Sequence, residues 1–288
     1  MADTRGAVVI TGASTGIGEA CALRLDRDGF RVFAGVRKEA DAQRLKQAAS
    51  DRLLPIMLDV TNEPQIEEAA KTVAGAVGDA GLAGLVNNAG ISINGPLEYL
   101  TSEDLRKQFE VNVVGQVAVT RAFLPLIRKA KGRIVNVGSI GGRFTTPFLG
   151  PYCASKHAME AISDALRQEL RPWGIHVALV EPGSIATEIW QKGQNDATEF
   201  EKNMPEEGTM RYRKAFAALR VAARKFEEAG IPPDRVARAV EHALTAGRPR
   251  TRYIVGFDAT VQRILRDVVP DRMRDGIVAR QLGLPTKP

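Results

Sequence analysis

A four-residue apolar run, Ala7-Val8-Val9-Ile10, passes without a spacer into Thr11-Gly12-Ala13-Ser14-Thr15-Gly16-Ile17-Gly18, and helical patterning follows from about Gly16 to Asp28. No other feature of the chain narrows its fold as far. An apolar run this short reads as a strand buried on both faces. A strand that enters a helix through a glycine-rich turn is half of a βαβ unit, and its next strand then lies parallel to the first. Glycine at 12, 16 and 18 permits positive φ and close backbone approach to a ligand, so the N–H groups at the helix start can receive a pyrophosphate. The spacing is not G-x-G-x-x-G. Gly12, Ser14, Thr15, Gly16, Ile17 and Gly18 are candidate phosphate-side residues on the physics alone.

The alternation continues along the chain. Apolar stretches at 31–36, 54–58, 84–86, 133–137, 176–180 and 252–256 are separated by helical patterns at 40–49, 63–77, 101–131, from about Tyr152 onward, and 232–244. This order predicts an α/β chain with a doubly wound parallel sheet of about seven strands and a ligand site at the C-terminal strand ends. Asp59 ends the third strand, next to Val60, and is placed to accept from an adenine amino group. Thr101 to Asp104 forms a capping box with Asp in place of the usual Glu. Asn112 puts an amide inside the apolar run Val111–Val113.

Composition bounds the class. The chain has 288 residues, 44% hydrophobic and 26% charged, with no linker, repeat or low-complexity tract; a single domain over 1–288 is expected. No signal peptide or apolar run near the ~18 residues of a membrane span stands out, so the expectation is a cytoplasmic protein without a transmembrane anchor. Cys21 and Cys153 fit free buried thiols, and metal-ligand spacing is absent. Through Trp190 the charges balance at 21 of each sign, and the excess of +6 lies after it. Those later charges alternate in sign, which suits a solvated surface better than a nucleic-acid contact.

Tyr152 and Lys156 stand four residues apart at the start of a helix, so their side chains share a face. A tyrosine used as a base near neutrality needs its pKa lowered by about 2 to 3 units, or about 3 to 4 kcal/mol. A cation at ~4 Å supplies on the order of 4 kcal/mol at an effective dielectric of 20.

Five features occur in one order: the Thr11–Gly18 turn, Asn87-Asn88-Ala89-Gly90, Asn112, Ser139 with Tyr152 and Lys156, and Pro182-Gly183 followed by Thr187. In this the chain closely resembles the short-chain dehydrogenase/reductase family over nearly its whole length. Its ending and Gly29–Gly35 look like the branch of hydroxysteroid and retinol dehydrogenases. The resemblance implies a Rossmann-type fold and hydride transfer between a nicotinamide cofactor and a carbonyl or alcohol. It implies Tyr152 as acid/base, Ser139 holding the reacting oxygen, and Lys156 on the nicotinamide ribose while lowering the Tyr152 pKa. Asn112 would position a water in a proton relay, and Thr187 and the Ile185 backbone would hold the carboxamide. Asn88, Ala89 and Gly90 would lie on the adenosine ribose side, with Pro182 and Gly183 also at the cofactor. A homodimer or homotetramer through the two long helices is implied as well.

After Thr187 the β pattern lapses until Ile231. An insert at 188–231 should act as a lid over the site, and 259–288 reads as a helical tail. Trp190, Met210 and Phe216 from the insert, with Ile140, Phe144 and Phe148 after Ser139, would wall an apolar substrate pocket beside Ser139 and Tyr152. The expected substrate is a bulky apolar alcohol or ketone of steroid, retinoid or aryl ketone type. Reduction of a 3-oxoacyl thioester, and a non-catalytic cofactor-sensing regulator, are the alternatives. NADP(H) is the expected cofactor and NAD(H) the alternative. The second strand ends Val36-Arg37-Lys38, so the position where an acidic residue would repel a 2′-phosphate is Val36, followed by two cations. Thr15 departs from the basic residue that NADP-using relatives often carry there.

Overall fold

The computed structural model describes residues 5–187 and 198–285; Trp190 lies outside them. The strands are β1 (Ala7–Ile10), β2 (Arg31–Val36), β3 (Leu53–Met57), β4 (Gly84–Asn87), β5 (Arg133–Val137), β6 (His176–Pro182) and β7 (Arg252–Val255). They form one parallel sheet in the order β3-β2-β1-β4-β5-β6-β7. The order reverses between β1 and β4, where a doubly wound sheet opens a crevice at its C-terminal edge.

Strand alternation divides the core in two. Val8 and Ile10 of β1, Val32, Ala34 and Val36 of β2, and Val135 and Val137 of β5 face one side. Helices α1 (Gly16–Arg27), α2 (Glu39–Ala48) and α8 (Asp234–Thr245) cover that side with Leu25, Leu45 and Val240. Ala7, Val9, Phe33 and Ile134 face the other, under α3 (Glu63–Val77) and α5 (Gly115–Ala130), which bring Ile66, Val73, Phe123 and Ile127. Both faces are covered, which explains strands that read as continuous apolar runs instead of alternating ones. The third core cluster joins Ile140 and Phe144 to Ala222 of α7 (Glu206–Glu228), Ala259 of α9 (Phe257–Val268), and Val278 and Leu282 of α10 (Asp271–Leu282).

The pattern at 101–131 predicts one long helical region, and the structure has it over Ser102–Ala130 with a π turn inside. Helix α4 (Ser102–Phe109) starts at the expected capping box on Thr101 and Asp104, then passes through a π turn over Glu110–Val114 into α5. The widened turn centres on Asn112, whose side chain is bound outside its own helix. By length and composition alone, Ser102–Ala130 passes as a membrane span, although no such apolar run stood out in the sequence; 44% of the relevant stretch is buried within the protein, and α5 packs on the sheet.

Candidate active site

The C-terminal strand ends bring the motif residues together. Gly12 and Gly16 hold φ of +63° and +60°, and the turn between them carries β1 into α1. A Cβ on Gly18 would sit 2.2 Å from the Gly12 carbonyl oxygen, and one on Gly16 would meet the Thr187 methyl at 3.1 Å. The beginning and end of the motif series are therefore neighbours. Thr15, the N-cap of α1, makes no side-chain capping bond, so its side chain leaves the first helical N–H groups to another acceptor. Ser14 accepts from the Arg44 guanidinium through its carbonyl, and Ile17 lies on the wall of the cavity beside Ser139 and Tyr152.

Thr11, which sequence reasoning treated only as part of the turn, is its brace. Its hydroxyl accepts from Asn88 N at 2.9 Å and Ala89 N at 3.0 Å, while Asn88 Nδ2 donates to the Thr11 and Gly12 carbonyls at 3.0 Å each. The Asn88 amide nitrogen is thus committed to shaping the turn. Gln116 donates to the Ala89 carbonyl, and Gly90 is exposed beside Asn112. Asp59, half-buried, accepts from Thr61 N and Oγ1 through Oδ1 alone. Val60 belongs to the core beneath α3 and α5, with its carbonyl against Gly115; its side chain is not on the ligand side. At the end of β2, Val36 is 1% exposed in the core under α1 and α2, while Arg37 and Lys38 are exposed. The residues presented at the position discussed for a 2′-phosphate are the two cations, and Val36 is core.

Tyr152 and Lys156 start helix α6 (Gly150–Glu169), and Ser139 follows β5. Burial pushes the Tyr152 phenol up to about 12, opposed by a hydrogen bond with Ser139. Burial also pulls the Lys156 ammonium down to about 8. Lys156 Nζ donates to the Val137 carbonyl at 2.9 Å and stands 5.8 Å from the Tyr152 ring centroid. In this geometry desolvation is the largest influence on both groups and favours their neutral forms. The side-chain amide of Asn112 is fully engaged by its neighbours. Its Nδ2 donates to the Ile91 carbonyl and to Ser155 Oγ, both at 3.0 Å, and its Oδ1 accepts from Ile91 N at 2.9 Å. The side chain pins the 91 loop to α6.

A cavity of about 340 Å³ opens on this edge. Ser139, Ile140, Phe144, Phe148, Tyr152 and Phe216 line it, with Pro182, Gly183, Ile185 and Thr187 on the wall that follows β6. Phe148 holds a left-handed φ of 67°, a conformation costly for a bulky residue, and its ring lies 6.0 Å from Phe216 and 5.8 Å from Tyr212. Met210 is corrected: it is 66% exposed and lines no part of this wall. The buried face of α7 runs through Gly208, Ala215, Phe216 and Ala222, and Met210, two residues beyond Gly208, points about 200° around the helix. Leu219 and Phe226 on the inner face were not foreseen, though their spacing from Phe216 would have placed them there. Asp258 was also missed; its carboxylate accepts from Ser184 N at 2.7 Å and fixes the segment that leads to Thr187.

The short chain dehydrogenase model matches residues 6–198. The chain is 37% identical over 279 residues to the NADPH-dependent 3-dehydrocapnine reductase of Ornithobacterium rhinotracheale, covering 95% of this chain and 96% of that one. It is 38% identical over 286 residues to retinol dehydrogenase 5 of Mus musculus, covering 97% and 90%. A short chain dehydrogenase from Burkholderia cenocepacia, solved in complex with NADP, superposes with a TM-score of 0.70 at 27% identity, covering 97% and 98%. With the glycine turn, the Ser139–Tyr152–Lys156 group and the parallel sheet on one edge, these matches make the chain a member of the short-chain dehydrogenase/reductase family, an oxidoreductase of the retinol and hydroxysteroid dehydrogenase branch.

Proposed function

We propose that the protein is an NADP(H)-dependent oxidoreductase that interconverts a carbonyl and an alcohol on a bulky apolar molecule, with Tyr152 as the acid/base. The observation that carries this reading is the meeting of Tyr152 and Ser139 with an apolar wall of Ile140, Phe144, Phe148 and Phe216 in one cavity. The relative named for retinol supports the substrate class.

The residues present fit a dinucleotide. The cradle at Gly12, Gly16 and Gly18 has no room for a Cβ without displacing backbone or Thr187, and the helix N-terminus behind it lacks a side-chain cap. Gly12 to Gly18 would hold the pyrophosphate, Asp59 the adenine, Arg37 and Lys38 a 2′-phosphate, Lys156 the nicotinamide ribose, and Thr187 the carboxamide. When bound, the nicotinamide supplies or accepts the hydride. The relative described as NADPH-dependent and the neighbour solved with NADP support the same cofactor.

The protein's own part is proton handling and exclusion of water. A phenol held neutral up to about 12 is in its proton-donating form at neutral pH, which suits reduction of a carbonyl. Ser139 accepts from Gly141 N at 3.0 Å and its hydroxyl is bonded to the Tyr152 phenol, so the two hydroxyls stand together and a substrate oxygen entering between them would meet both. As negative charge develops on that oxygen, the phenol delivers its proton. Lys156, fixed on the Val137 carbonyl, keeps a cation behind the phenol below about pH 8. We also place the enzyme in the cytosol as a homodimer or homotetramer; Val114 and Val117, exposed on the long helix pair α4–α5, are in keeping with an assembly face.

The test is Tyr152→Phe. Ring packing is kept and the donor lost, so turnover of retinoid, steroid or aryl ketone substrates should fall about a hundredfold or more, with cofactor affinity nearly unchanged. Turnover close to the parent's sinks the assignment. The substrate panel should include an acyl thioester, whose preferential turnover would displace the apolar-ketone reading.

A further inference from the structure

Beneath the catalytic residues lies a group of charges that the proposed chemistry does not use. On α6, Glu160 and Asp164 continue the face of Tyr152 and Lys156 at four-residue steps. Glu181 is the next-to-last residue of β6, immediately before Pro182, and its side chain has no exposure to solvent. Two arginines lie among the three carboxylates. Arg143, four residues after Ser139, donates from Nε to Glu181 Oε1 at 3.1 Å and lies 3.6 Å from Glu160. Arg252 of β7 donates to Glu160 Oε2 at 3.0 Å and to Asp164 Oδ2 at 2.8 Å, and pairs with Glu181 Oε1 at 3.3 Å. Arg167 pairs with Asp164 from the outer side. His157 is turned away, its Nδ1 bonded to the Cys153 carbonyl.

Glu160 Oε1 and Glu181 Oε2 are both buried and neither receives a hydrogen bond from an N–H or O–H of the protein. Arg143 Nε lies 3.1 Å from Glu181 Oε2 as well, but its N–H bonds Oε1. The two carboxyl groups are held in one cluster, because Arg143 and Arg252 each contact both of them. Two carboxylates have no hydrogen to place between them. A proton held between the two groups would give both orphan oxygens a partner.

We propose that Glu160 and Glu181 share one proton in the folded protein under mildly acid conditions, and that this acid–carboxylate pair positions the active site by locking three of its segments together. The segments are the Ser139–Arg143 turn, the Tyr152 helix and the Pro182–Gly183 strand end. Burial, and then the charge of Glu160, raise the Glu181 carboxyl well above its ordinary value of 4.5, against the opposing pull of Arg143. The sign of the linkage follows. The folded chain keeps a proton that the unfolded chain releases near 4.5, so stability declines as pH rises from there toward the raised value and then levels. Above that value the pair carries two negative charges, the shared proton is lost, and the lock on Ser139 and Tyr152 loosens.

Infrared spectroscopy of the folded full chain tests the proton directly. The parent should show a protonated-carboxyl band at a pH between 4.5 and the raised value of about 7 that shifts in heavy water, and Glu181→Gln and Glu160→Gln should each lose it. The glutamine at 181 imitates the protonated acid, so the melting temperature of that variant relative to the parent should climb across the titration and then level. Its kcat should match the parent's at acid pH and lack any decline that accompanies loss of the shared proton, with KM unaffected. Absence of the band from the parent overturns the proposal, as does its persistence in both variants. An unaltered pH dependence of stability in Glu181→Gln overturns it too. The kcat arm rests on the proposed carbonyl–alcohol chemistry; the infrared and melting arms do not, so the two readings fail separately.

Discussion

The glycine turn and the lid are both closely packed, but against different kinds of atom. A Cβ on Gly18 would strike the Gly12 carbonyl oxygen at 2.2 Å, and one on Gly12 the Ala89 Cα at 2.8 Å. On the lid side, a Cβ on Gly208 would meet the Tyr99 ring at 2.7 Å and the Met204 methyl at 2.9 Å, and one on Gly95 the Phe200 ring at 2.9 Å. Backbone in a sheet-anchored turn has nowhere to go, whereas ring edges and a methionine methyl can rotate. The cofactor side is therefore built to one shape. The substrate side is a wall of side chains that can be recut without disturbing the sheet.

The sharpest way to break this contrast is a matched pair of methyl insertions. Gly18→Ala should cost about 1 to 3 kcal/mol of stability from overpacking and lower cofactor affinity by about two orders of magnitude, since the pyrophosphate cradle must shift to admit it. Gly208→Ala, read by the same melting curves and cofactor titrations, should leave affinity intact and cost less stability. Equal cofactor affinity in the two variants would remove the distinction.

Cofactor choice sharpens the contrast at one residue. Arg37 is exposed at the end of β2, where its guanidinium can reach a 2′-phosphate with a charge-assisted bond of about 1.5 to 3 kcal/mol. Arg37→Glu should move the NADPH-to-NADH ratio of kcat/KM toward NADH by about ten- to 150-fold, with stability little changed because the side chain is exposed. Val36→Asp is a poor test by comparison, because it places a carboxylate in the core. A ratio that does not move in Arg37→Glu would take the 2′-phosphate contact away from this residue.

What the sequence made legible follows the same division. Contiguous signals translate directly: the apolar run at Ala7–Ile10 with its glycines became β1, the turn and α1, and the repeated strand–helix alternation became the parallel sheet. Signals that depend on distant partners did not. The π turn at Asn112 exists because Ile91 and Ser155 bind its amide, and nothing between residues 101 and 131 announces them. The direction of the Tyr152 and Lys156 shifts was set by burial, which their four-residue spacing does not encode. Glu181 read as the residue after an apolar strand, and its partners at 143, 160 and 252 are scattered along the chain. In the lid, helical periodicity alone separates Phe216 from Met210, and aromatic or apolar character drew both into the expected wall.

That last pair supplies the smallest effect and the finest test of the recuttable wall. Phe216 is buried on the inner face of α7, in contact range of the Phe148 ring, while Met210 stands in solvent on the opposite face. Phe216→Ala enlarges the cavity beside Tyr152 and removes apolar contact area. For a large apolar alcohol or ketone, kcat/KM should fall by roughly ten- to 100-fold, within the range of about 1 to 3 kcal/mol for a pocket contact; a small ketone, which does not reach the ring, should lose little. Some stability should go as well, because Phe216 also packs on Phe148 and Tyr212. Met210→Ala should change neither substrate's kcat/KM nor the melting temperature beyond the ±0.5 kcal/mol or so of an ordinary surface substitution. Equal losses for large and small substrates in Phe216→Ala would make Phe216 a packing residue of the lid and leave the selectivity of the cavity to Ile140, Phe144 and Phe148.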